Sequence, residues 1–374
     1  MTKITICGDF TTCGQGMDAV RKGTALEKDV LDIIHSSDVS IVNLECPVAD
    51  SNDSKIQKSG PNLRTSSETV TYLKKCGFTH VTLANNHFYD YGDAGVTKTI
   101  DALKREGIGY VGGGRTPEEI RKPLYLDTKE GKIAILNYCE HEFSVHEPMG
   151  SNPMNPIAIY HDIQNAKQIC EFIIIICHGG HEGYQLPSPR MKELYRFFID
   201  LGADVVCNHH QHCFSGWEEY NGGRIYYGLG NFFFDDHRPS RQRNRTWNYG
   251  FILQVNIVDN QINCSCLPYS QCLKTKQCKL LTGDHTVSFF EEFNNLSHII
   301  ASPTQLQLSF NSFCQKEKRN TMVELSPYSN RYLKALCRRN IIPSFLNKKK
   351  VTDLVNLIRC ESHRDKAIIM IINN

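Results

Sequence analysis

The sequence predicts an α/β protein. Over roughly the first 205 residues, short apolar runs alternate with segments whose apolar residues recur at helical spacing, which is the pattern of a sheet with mostly parallel strands. From Arg224 to Cys266, apolar runs follow one another without intervening helical segments, which indicates an antiparallel finish to the sheets. The remaining residues are polar, Lys-rich in places, and predicted to be mainly helical.

The elements can be assigned in chain order from these patterns. The predicted strands are Lys3–Cys7, Val39–Leu44, His80–Leu83, Gly109–Val111, Ile133–Leu136, Phe172–Cys177, Ile225–Tyr227, Phe251–Ile257 and Ile262–Leu267. The predicted helices are Ala25–His35, Ser66–Lys75 (with Ser66 at the N-cap), Ala94–Arg105, Arg190–Leu201, Pro327–Arg339 and Val351–Asn373. We therefore expect one domain over residues 1–267 and a small, mainly helical extension over residues 268–374.

Composition excludes several classes of protein. The 374 residues carry a net charge of +2, with 22% charged and 40% hydrophobic residues, a balance that argues against a dedicated nucleic-acid or membrane-surface binder. The sequence contains no apolar run of the roughly 18 residues that a transmembrane helix needs. The first residues, MTKITICGDF, lack the pattern of a signal peptide. We expect a cytoplasmic protein without direct membrane insertion.

The chain has 16 cysteines but no CxxC pair, so a zinc ribbon is disfavoured. Several of them, including Cys7, Cys139, Cys177 and Cys207, lie inside apolar runs, where a thiol behaves as a small core residue. We expect them to be reduced.

Polar residues of metal-ligand type recur directly after the predicted strands. They are Asp9, Glu45, the Asn85-Asn86-His87 run, His178, and the group His209, His210 and His212. Ligands of α/β sheets bind outside the carboxyl ends of the strands, so these side chains are predicted to converge on one site. A set of Asp, Glu, Asn and His without thiolate suits one or two divalent ions such as Mn, Fe or Zn.

Six motifs occur in an order that resembles the bacterial capsule-synthesis CapA family, also called PGA_cap. They are GDF (8–10), NLECPV (43–48), LANNHFYDYGDAGVTKTIDAL (83–103), HGGHE (178–182), GADVVCNHHQH (202–212) and YGLGNFFFD (227–235). The resemblance covers roughly residues 1–260. It implies a calcineurin-like metallophosphoesterase fold, a four-layer sandwich of two mixed sheets flanked by helices. It also implies a link to capsule, poly-γ-glutamate or related surface-polymer synthesis.

The resemblance also implies roles for individual residues. It implies that Asp9 and His212 bind a first ion, that Glu45 bridges two ions, and that Asn86, His178 and His210 bind the second. His87 resembles the group that protonates or stabilises the leaving oxygen. Arg64 matches a family arginine that suits a phosphate or carboxylate, with a surface salt bridge as the alternative. His209, Glu182 and Tyr184 are candidates for contact with substrate; His209 could instead lie behind the ligands, and the other two could cap a loop.

Three departures from the family pattern bear on this assignment. Metallophosphoesterases generally begin with Asp-x-His, but Thr11 stands where that histidine would be. The first ion is therefore short of a ligand, and a single-metal site remains open. Gln211 replaces a proline and Gly179 a tryptophan, changes that remove no ligand.

The leading hypothesis is a metal-dependent hydrolase in which a water held by one or two divalent ions attacks a phosphoester, with Arg64 or His87 as the catalytic residue that stabilises the developing charge. The alternative is a non-catalytic accessory factor that binds an anionic polymer or its synthetic enzymes, which is an inference from family membership. The expected partners are an anionic small-molecule or polymer substrate and capsule or polyglutamate synthesis enzymes, and no nucleic acid is expected. A scaffold whose C-terminal helices recruit a partner is a third reading.

Overall fold

A computed structural model describes residues 1–12, 16–234, 245–272 and 277–372. The chain divides into two compact units, residues 1–307 and residues 308–374. The boundary expected after residue 267 instead falls inside a strand, Gln261–Cys272. The helix Asp284–Ala301 also belongs to the first unit, because Phe289 and Phe293 are buried in the same core as the sheets.

The elements are numbered here in chain order. The strands are β1 (Thr2–Thr11), β2 (Val39–Leu44), β3 (His80–Thr82), β4 (Gly109–Val111), β5 (Gly113–Gly114), β6 (Leu124–Thr128), β7 (Gly131–Cys139), β8 (Gly150–Ser151), β9 (Phe172–His178), β10 (Val205–His209), β11 (Trp217–Tyr220), β12 (Gly223–Tyr226), β13 (Asn231–Phe234), β14 (Tyr249–Val258), β15 (Gln261–Cys272) and β16 (Gln277–Leu280).

The helices are α1 (Gly16–Lys22), α2 (Lys28–His35), α3 (Ser67–Lys75), α4 (Gly92–Glu106), α5 (Pro117–Arg121), α6 (Pro156–Lys167), α7 (Pro189–Leu201), α8 (Arg245–Asn248), α9 (Asp284–Ala301), α10 (Pro303–Glu324), α11 (Arg331–Arg338), α12 (Lys348–Arg359) and α13 (Glu361–Ile372).

Two mixed sheets form the centre of the first unit. The first has the order β16-β15-β14-β1-β2-β3-β4, with β13 also pairing with β1; the second has the order β11-β12-β10-β9-β7-β6. In the first sheet β1 to β4 are parallel, and β14, β15 and β16 add antiparallel strands at one side. In the second sheet the four central strands are parallel and the outer two antiparallel.

The sheets face each other, and helices cover their outer faces. Between the sheets, Ile4 and Ile41 of the first pack in one buried core with Ile174 and Val205 of the second. Helices α6 and α7 belong to that core on the far side of the second sheet, while α2, α3 and α4 pack with the opposite face of the first sheet in a separate core. This arrangement of helix, sheet, sheet and helix confirms the expected four-layer α/β sandwich.

The predicted elements of the first part are largely confirmed. Predicted strands Val39–Leu44 and Gly109–Val111 coincide with β2 and β4, whereas the helix predicted from Ala25 begins later, at Lys28. Ser66 directly precedes α3 as predicted, but its hydroxyl donates to the Glu68 carboxylate rather than capping a backbone N–H.

Helix α6 was not predicted. Its N-cap, Asn155, accepts hydrogen bonds from the backbone N–H groups of Ile157 and Ala158, an ordinary start signal. Ile157 and Tyr160, however, are exposed. These apolar residues on the solvent side obscure the periodicity on which the prediction depends.

The second unit contains residues 308–324 of α10 together with α11, α12 and α13. The single helix predicted over Val351–Asn373 is two helices, because the backbone of Cys360 is extended between them; Asn373 lies outside the described residues. Across the described part of the chain, no helix combines the length and the apolar character needed to cross a membrane.

The core between the sheets should determine the stability of the first unit. Ile174 in β9 is fully buried, so Ile174→Ala should lower the free energy of unfolding by about 2–5 kcal/mol through lost burial and a residual cavity. The matched control is Ile157→Ala, at a side chain that is 74% exposed, which should change it by less than about 0.5 kcal/mol. Urea denaturation followed by circular dichroism measures both, and equal effects would contradict the assigned core.

Candidate metal centre

The carboxyl ends of five parallel strands meet at one edge of the sandwich. Strands β1, β2 and β3 of the first sheet lead to Asp9, Glu45 and the Asn85-Asn86-His87 run, and β9 and β10 of the second lead to the histidines. The structure thus brings together the strand-end residues that the sequence singled out. They are buried: Asp9, Glu45, Asn86, His178, His210 and His212 are each at most 6% exposed.

Asp9 connects the two sheets. Its Oδ1 accepts a hydrogen bond from Nδ2 of Asn43 at 2.7 Å, and its Oδ2 accepts one from the backbone N–H of His210 at 3.3 Å. The same Oδ2 lies 3.5 Å from Nδ1 of His212. Asp9 therefore fixes the loop that follows β10 against the first sheet.

His178 lies at the middle of the second group of donors. Its Nε2 lies 3.1 Å from Oδ1 of Asn86, 3.2 Å from Nδ1 of His210 and 3.8 Å from Oε1 of Glu45. The same Glu45 oxygen is 3.7 Å from Nε2 of His212. Glu45 thus lies between His178 on one side and His212 on the other, as a bridging carboxylate would.

The loop that carries His210 and His212 has an unusual backbone. Both residues have positive φ values, 86° and 54°, a left-handed conformation that side chains other than glycine rarely adopt. Asn231 of β13 holds it: its Oδ1 pairs with Nδ1 of His212 at 2.9 Å, and its Nδ2 donates to the His212 carbonyl. Local strain of this kind persists only where surrounding contacts enforce it, and it is common at functional sites.

Gly8 allows β1 to approach the strand that carries Asn231. A Cβ atom at position 8 would lie 1.9 Å from the carbonyl oxygen of Gly230, far inside van der Waals contact. The Asp9 N–H donates to that same carbonyl. A side chain at Gly8 would therefore displace Asp9 from the site.

The donor atoms form three overlapping groups, each with its atoms within 4.8 Å of one another. The groups are Asp9, His178 and His209; Glu45, His178 and His210; and Asp9, Glu45 and His212. Buried carboxylates and imidazoles without thiolate fit a divalent cation of the Mn, Fe or Zn type, and shared members between groups fit adjacent ions. Thr11, in place of the second histidine of Asp-x-His, contributes no such donor; its hydroxyl pairs with the Cys46 thiol at 3.0 Å.

His209 differs from the expectation that it contacts substrate. It is the last residue of β10 and is 2% exposed, so a substrate cannot reach it in this conformation. Its ring lies beside Asp9 and His178 instead. The parity of the strand explains this, because His209 is the register partner of His178 and their side chains point to the same face.

A second cluster adjoins the donors. Nδ1 of His87 lies 2.6 Å from Oδ2 of Asp90, whose Oδ1 accepts from Nζ of Lys58 at 2.5 Å. All three side chains are at most 7% exposed. Asp90 therefore orients the His87 ring, and Lys58 orients Asp90.

The other predicted residues lie around the donors. Arg64 is half-buried and its Nη1 donates to the Ala49 carbonyl at 3.1 Å, which fixes the segment after Glu45. Glu182 is exposed, and its charge acts on His210. Tyr184 is half-buried, packs against the core between the sheets, and accepts at its carbonyl from Gln211.

Sequence reasoning assigned no role to Asn43, Lys58, Asp90 or Glu142. Asn43 was visible as an amide inside the apolar strand β2, and Asp90 as a carboxylate three residues after His87. Lys58 belongs to the irregular segment before α3, and Glu142, 3.8 Å from Nε2 of His210, to the segment after β7. Neither of the last two carries a pattern that points to the site.

Burial controls the charge of the imidazoles. It lowers the pKa values of four histidines: His87, His178, His209 and His210. For His178 the positive charge of His210 lowers the pKa further. Burial by itself raises the pKa of Asp9, but the hydrogen bond with His212 and the nearby imidazoles outweigh it, so that its pKa lies well below the ordinary value. The site thus combines an ionised Asp9 carboxylate with three rings, His178, His209 and His210, whose neutral form is favoured by burial, which is the state required for metal binding.

Comparison with known proteins finds one matching family and similar sequences. Residues 3–236 match the family described as bacterial capsule synthesis protein PGA_cap. The capsule biosynthesis protein CapA of Bacillus anthracis is 33% identical over 218 residues, which cover 56% of this chain and 53% of that protein. The PGA biosynthesis protein CapA of Bacillus subtilis is 32% identical over 208 residues, 54% of this chain and 55% of that protein. The chain therefore matches about half the length of these curated relatives.

Solved structures show more distant likeness. A hypothetical protein from Thermus thermophilus has a TM-score of 0.47 and 13% identity, and covers 72% of this chain and 99% of its own. A novel phosphatase of Mycoplasma pneumoniae has a TM-score of 0.45 and 15% identity, and covers 79% and 98%.

The buried imidazoles predict a pH dependence of the metal-free protein. In the unfolded chain histidines titrate at about pH 6.5. In the folded state the lowered pKa values keep His178, His209 and His210 neutral. As the pH falls through this range the unfolded chain binds more protons, so the free energy of unfolding should decrease, by up to about 1.4 kcal/mol per pH unit for each such group. The stabilising contribution of Asp9, with its lowered pKa, is lost only below about pH 4.

Urea titrations at pH 7.5 and 5.5, with a chelator present, measure this slope. His178→Asn should make it shallower, while His161→Asn, at an exposed position on α6, should leave it unchanged. An identical slope in all three proteins would show that the buried imidazoles do not control acid stability.

Proposed function

Because the chain belongs to the bacterial capsule synthesis protein PGA_cap family, we propose that it is a metal-dependent hydrolase of phosphoester bonds that acts in the synthesis of a bacterial surface polymer. One observation carries the hydrolase proposal: three overlapping groups of buried carboxylate and imidazole donors at the strand ends. The link to capsule or poly-γ-glutamate synthesis rests on the family.

The proposed ligands divide between two ions. Asp9 and His212 would hold one, Asn86, His178 and His210 the other, and Glu45 would bridge them; the distances from Glu45 Oε1 to His178 and His212, 3.8 and 3.7 Å, support this division. When bound, divalent ions lower the pKa of a water molecule and stabilise the charge that develops on a phosphoryl group. The exclusion of bulk water by the buried ligands strengthens each of these interactions.

His87 is the proposed proton donor to the leaving oxygen. The 2.6 Å contact between its Nδ1 and Asp90 favours a ring that carries one proton at Nδ1. Its other nitrogen, Nε2, must then carry a second proton before it can donate, so the acting form is the imidazolium, which the adjacent Asp90 carboxylate stabilises. Lys58, on the far oxygen of Asp90, holds this carboxylate in place.

Three further candidates for contact with substrate have weaker support: Arg64, Glu182 and Tyr184. The contact of Arg64 with the Ala49 carbonyl supports a role in fixing the loop beside Glu45, and its contact with a substrate phosphate stays a prediction. Glu182 is exposed near His210 and remains a candidate for substrate contact. A cytoplasmic location, the anionic substrate and the capsule or polyglutamate synthesis partners also stay predictions.

A non-catalytic accessory role is the second candidate. The observation that favours it is Thr11, which removes one histidine from the first ion's usual ligands. In that case the buried centre would bind carboxylates or phosphates of an anionic polymer without turnover.

The hydrolase proposal can be tested with the purified chain and Mn²⁺. The protein should contain bound metal by elemental analysis and hydrolyse bis(p-nitrophenyl) phosphate or p-nitrophenyl phosphate. His210→Ala removes a proposed ligand and should reduce both metal content and activity, the latter by about tenfold or more. His161→Ala, at an exposed position of α6, is the matched control. Bound metal without hydrolysis would favour the accessory role, and wild-type protein that binds no metal would refute both.

The role of His87 predicts a dependence on the leaving group. His87→Asn should reduce kcat by about 10²–10⁴-fold for phenyl phosphate, whose leaving oxygen needs a proton. The loss should be much smaller for p-nitrophenyl phosphate, because p-nitrophenolate leaves readily as an anion. Asp90→Asn should act in the same direction, and metal content should stay at the wild-type level in both variants. Equal losses for the two substrates would argue against proton donation by His87.

A further inference from the structure

The His209 ring is enclosed without the hydrogen bonds that a buried imidazole ordinarily makes. It is 2% exposed, and within the described residues neither Nδ1 nor Nε2 has a hydrogen-bond partner. The Cys7 backbone is placed as a weak hydrogen-bond partner that raises the pKa of the ring, but the contact does not meet the distance and angle of a formed hydrogen bond. Burial of a polar group without a partner costs free energy that an apolar residue of similar size would avoid.

The surroundings of the ring consist of proposed metal ligands. His209 lies opposite His178 in the register of β10 and β9, so both rings project from the same face of the second sheet towards Asp9 of the first. One nitrogen of each ring and one Asp9 oxygen lie within 4.8 Å of one another. The ion proposed at Asp9 would supply the partner that the protein atoms do not.

The first ion also needs a further ligand in this chain. Thr11 takes the place of the histidine that follows the first aspartate in related hydrolases, and its hydroxyl pairs with Cys46. Asp9, Glu45 and His212 supply three donors, and a divalent ion of this class takes four or more. The His209 ring lies beside the same Asp9, in a group with His178 rather than with Glu45 and His212, and Asp9 is the donor through which it would join this set.

We propose that His209 is a metal ligand that replaces the missing histidine of the Asp-x-His motif, and that its ring nitrogen binds the ion held by Asp9. The inference rests on the proposed metal centre. The replacement ligand of the first ion then comes from a strand of the second sheet, whereas in the usual motif the aspartate and the histidine come from the same strand.

Metal affinity of the full chain tests this. Zn²⁺ and Mn²⁺ binding would be measured by calorimetry and elemental analysis for wild type, His209→Asn and His209→Phe, which fills the ring volume. Loss of a ligand should weaken the binding of one ion by about tenfold or more. Even residues that only hydrogen-bond to a ligand typically contribute 10–100-fold to metal affinity. His161→Asn is the exposed control, and His210→Ala marks the loss expected for a ligand of the other ion.

The outcomes separate this inference from the proposed function. If the His209 variants retain wild-type affinity and stoichiometry while His210→Ala loses metal, His209 is not a ligand and the metal centre stands. If wild type binds no metal, both proposals fail. If wild type binds metal and the His209 variants do not fold, a crystal structure of Zn²⁺-loaded wild type decides. A ring nitrogen of His209 about 2.0–2.1 Å from an ion supports the proposal, and a ring that contacts no ion overturns it.

Discussion

The carboxylate of Asp9 is the contact on which the site depends, because it joins the two sheets at their common edge. One oxygen is held by Asn43 within the first sheet, and the other accepts from the backbone of His210 in the loop that follows the second. Each sheet alone would present an incomplete set of donors. The four-layer architecture thus serves to bring strand ends from two separate sheets within bonding distance of the same few atoms.

The burial of the donors at this edge explains both their protonation states and the chemistry that they can support. Burial disfavours charged imidazoles and would also disfavour the charged form of Asp9 if the neighbouring rings did not stabilise it. The folded protein therefore holds neutral nitrogen donors and an ionised carboxylate at neutral pH. Such a site destabilises the fold when no cation is bound, because the lone pairs of its donors face one another. The strained backbone of His210 and His212 is a second cost in stability at the same site, of the kind that functional sites commonly carry.

The sequence predicts those parts of the molecule that follow from periodicity. Asp9, Glu45 and His178 were found because each follows an apolar strand and parallel strands end together. The burial of His209 depends on the parity of β10 and its register with β9, and the positions of the His210 and His212 rings depend on a left-handed loop; no local pattern encodes either. Lys58 lies in an irregular segment, and the unit boundary lies beyond residue 267 because α9 packs its aromatic residues into the first core.

The close approach of Gly8 to Gly230 has a consequence for folding. The contacts it permits join residues that are more than 200 positions apart, as does the bond from His210 to Asp9, with a separation of 201 residues. Contacts of such sequence separation close large loops and form slowly. The set of donors is therefore complete only when the chain has been synthesised beyond β13 and both sheets have docked, so that a cation could be bound only late in folding.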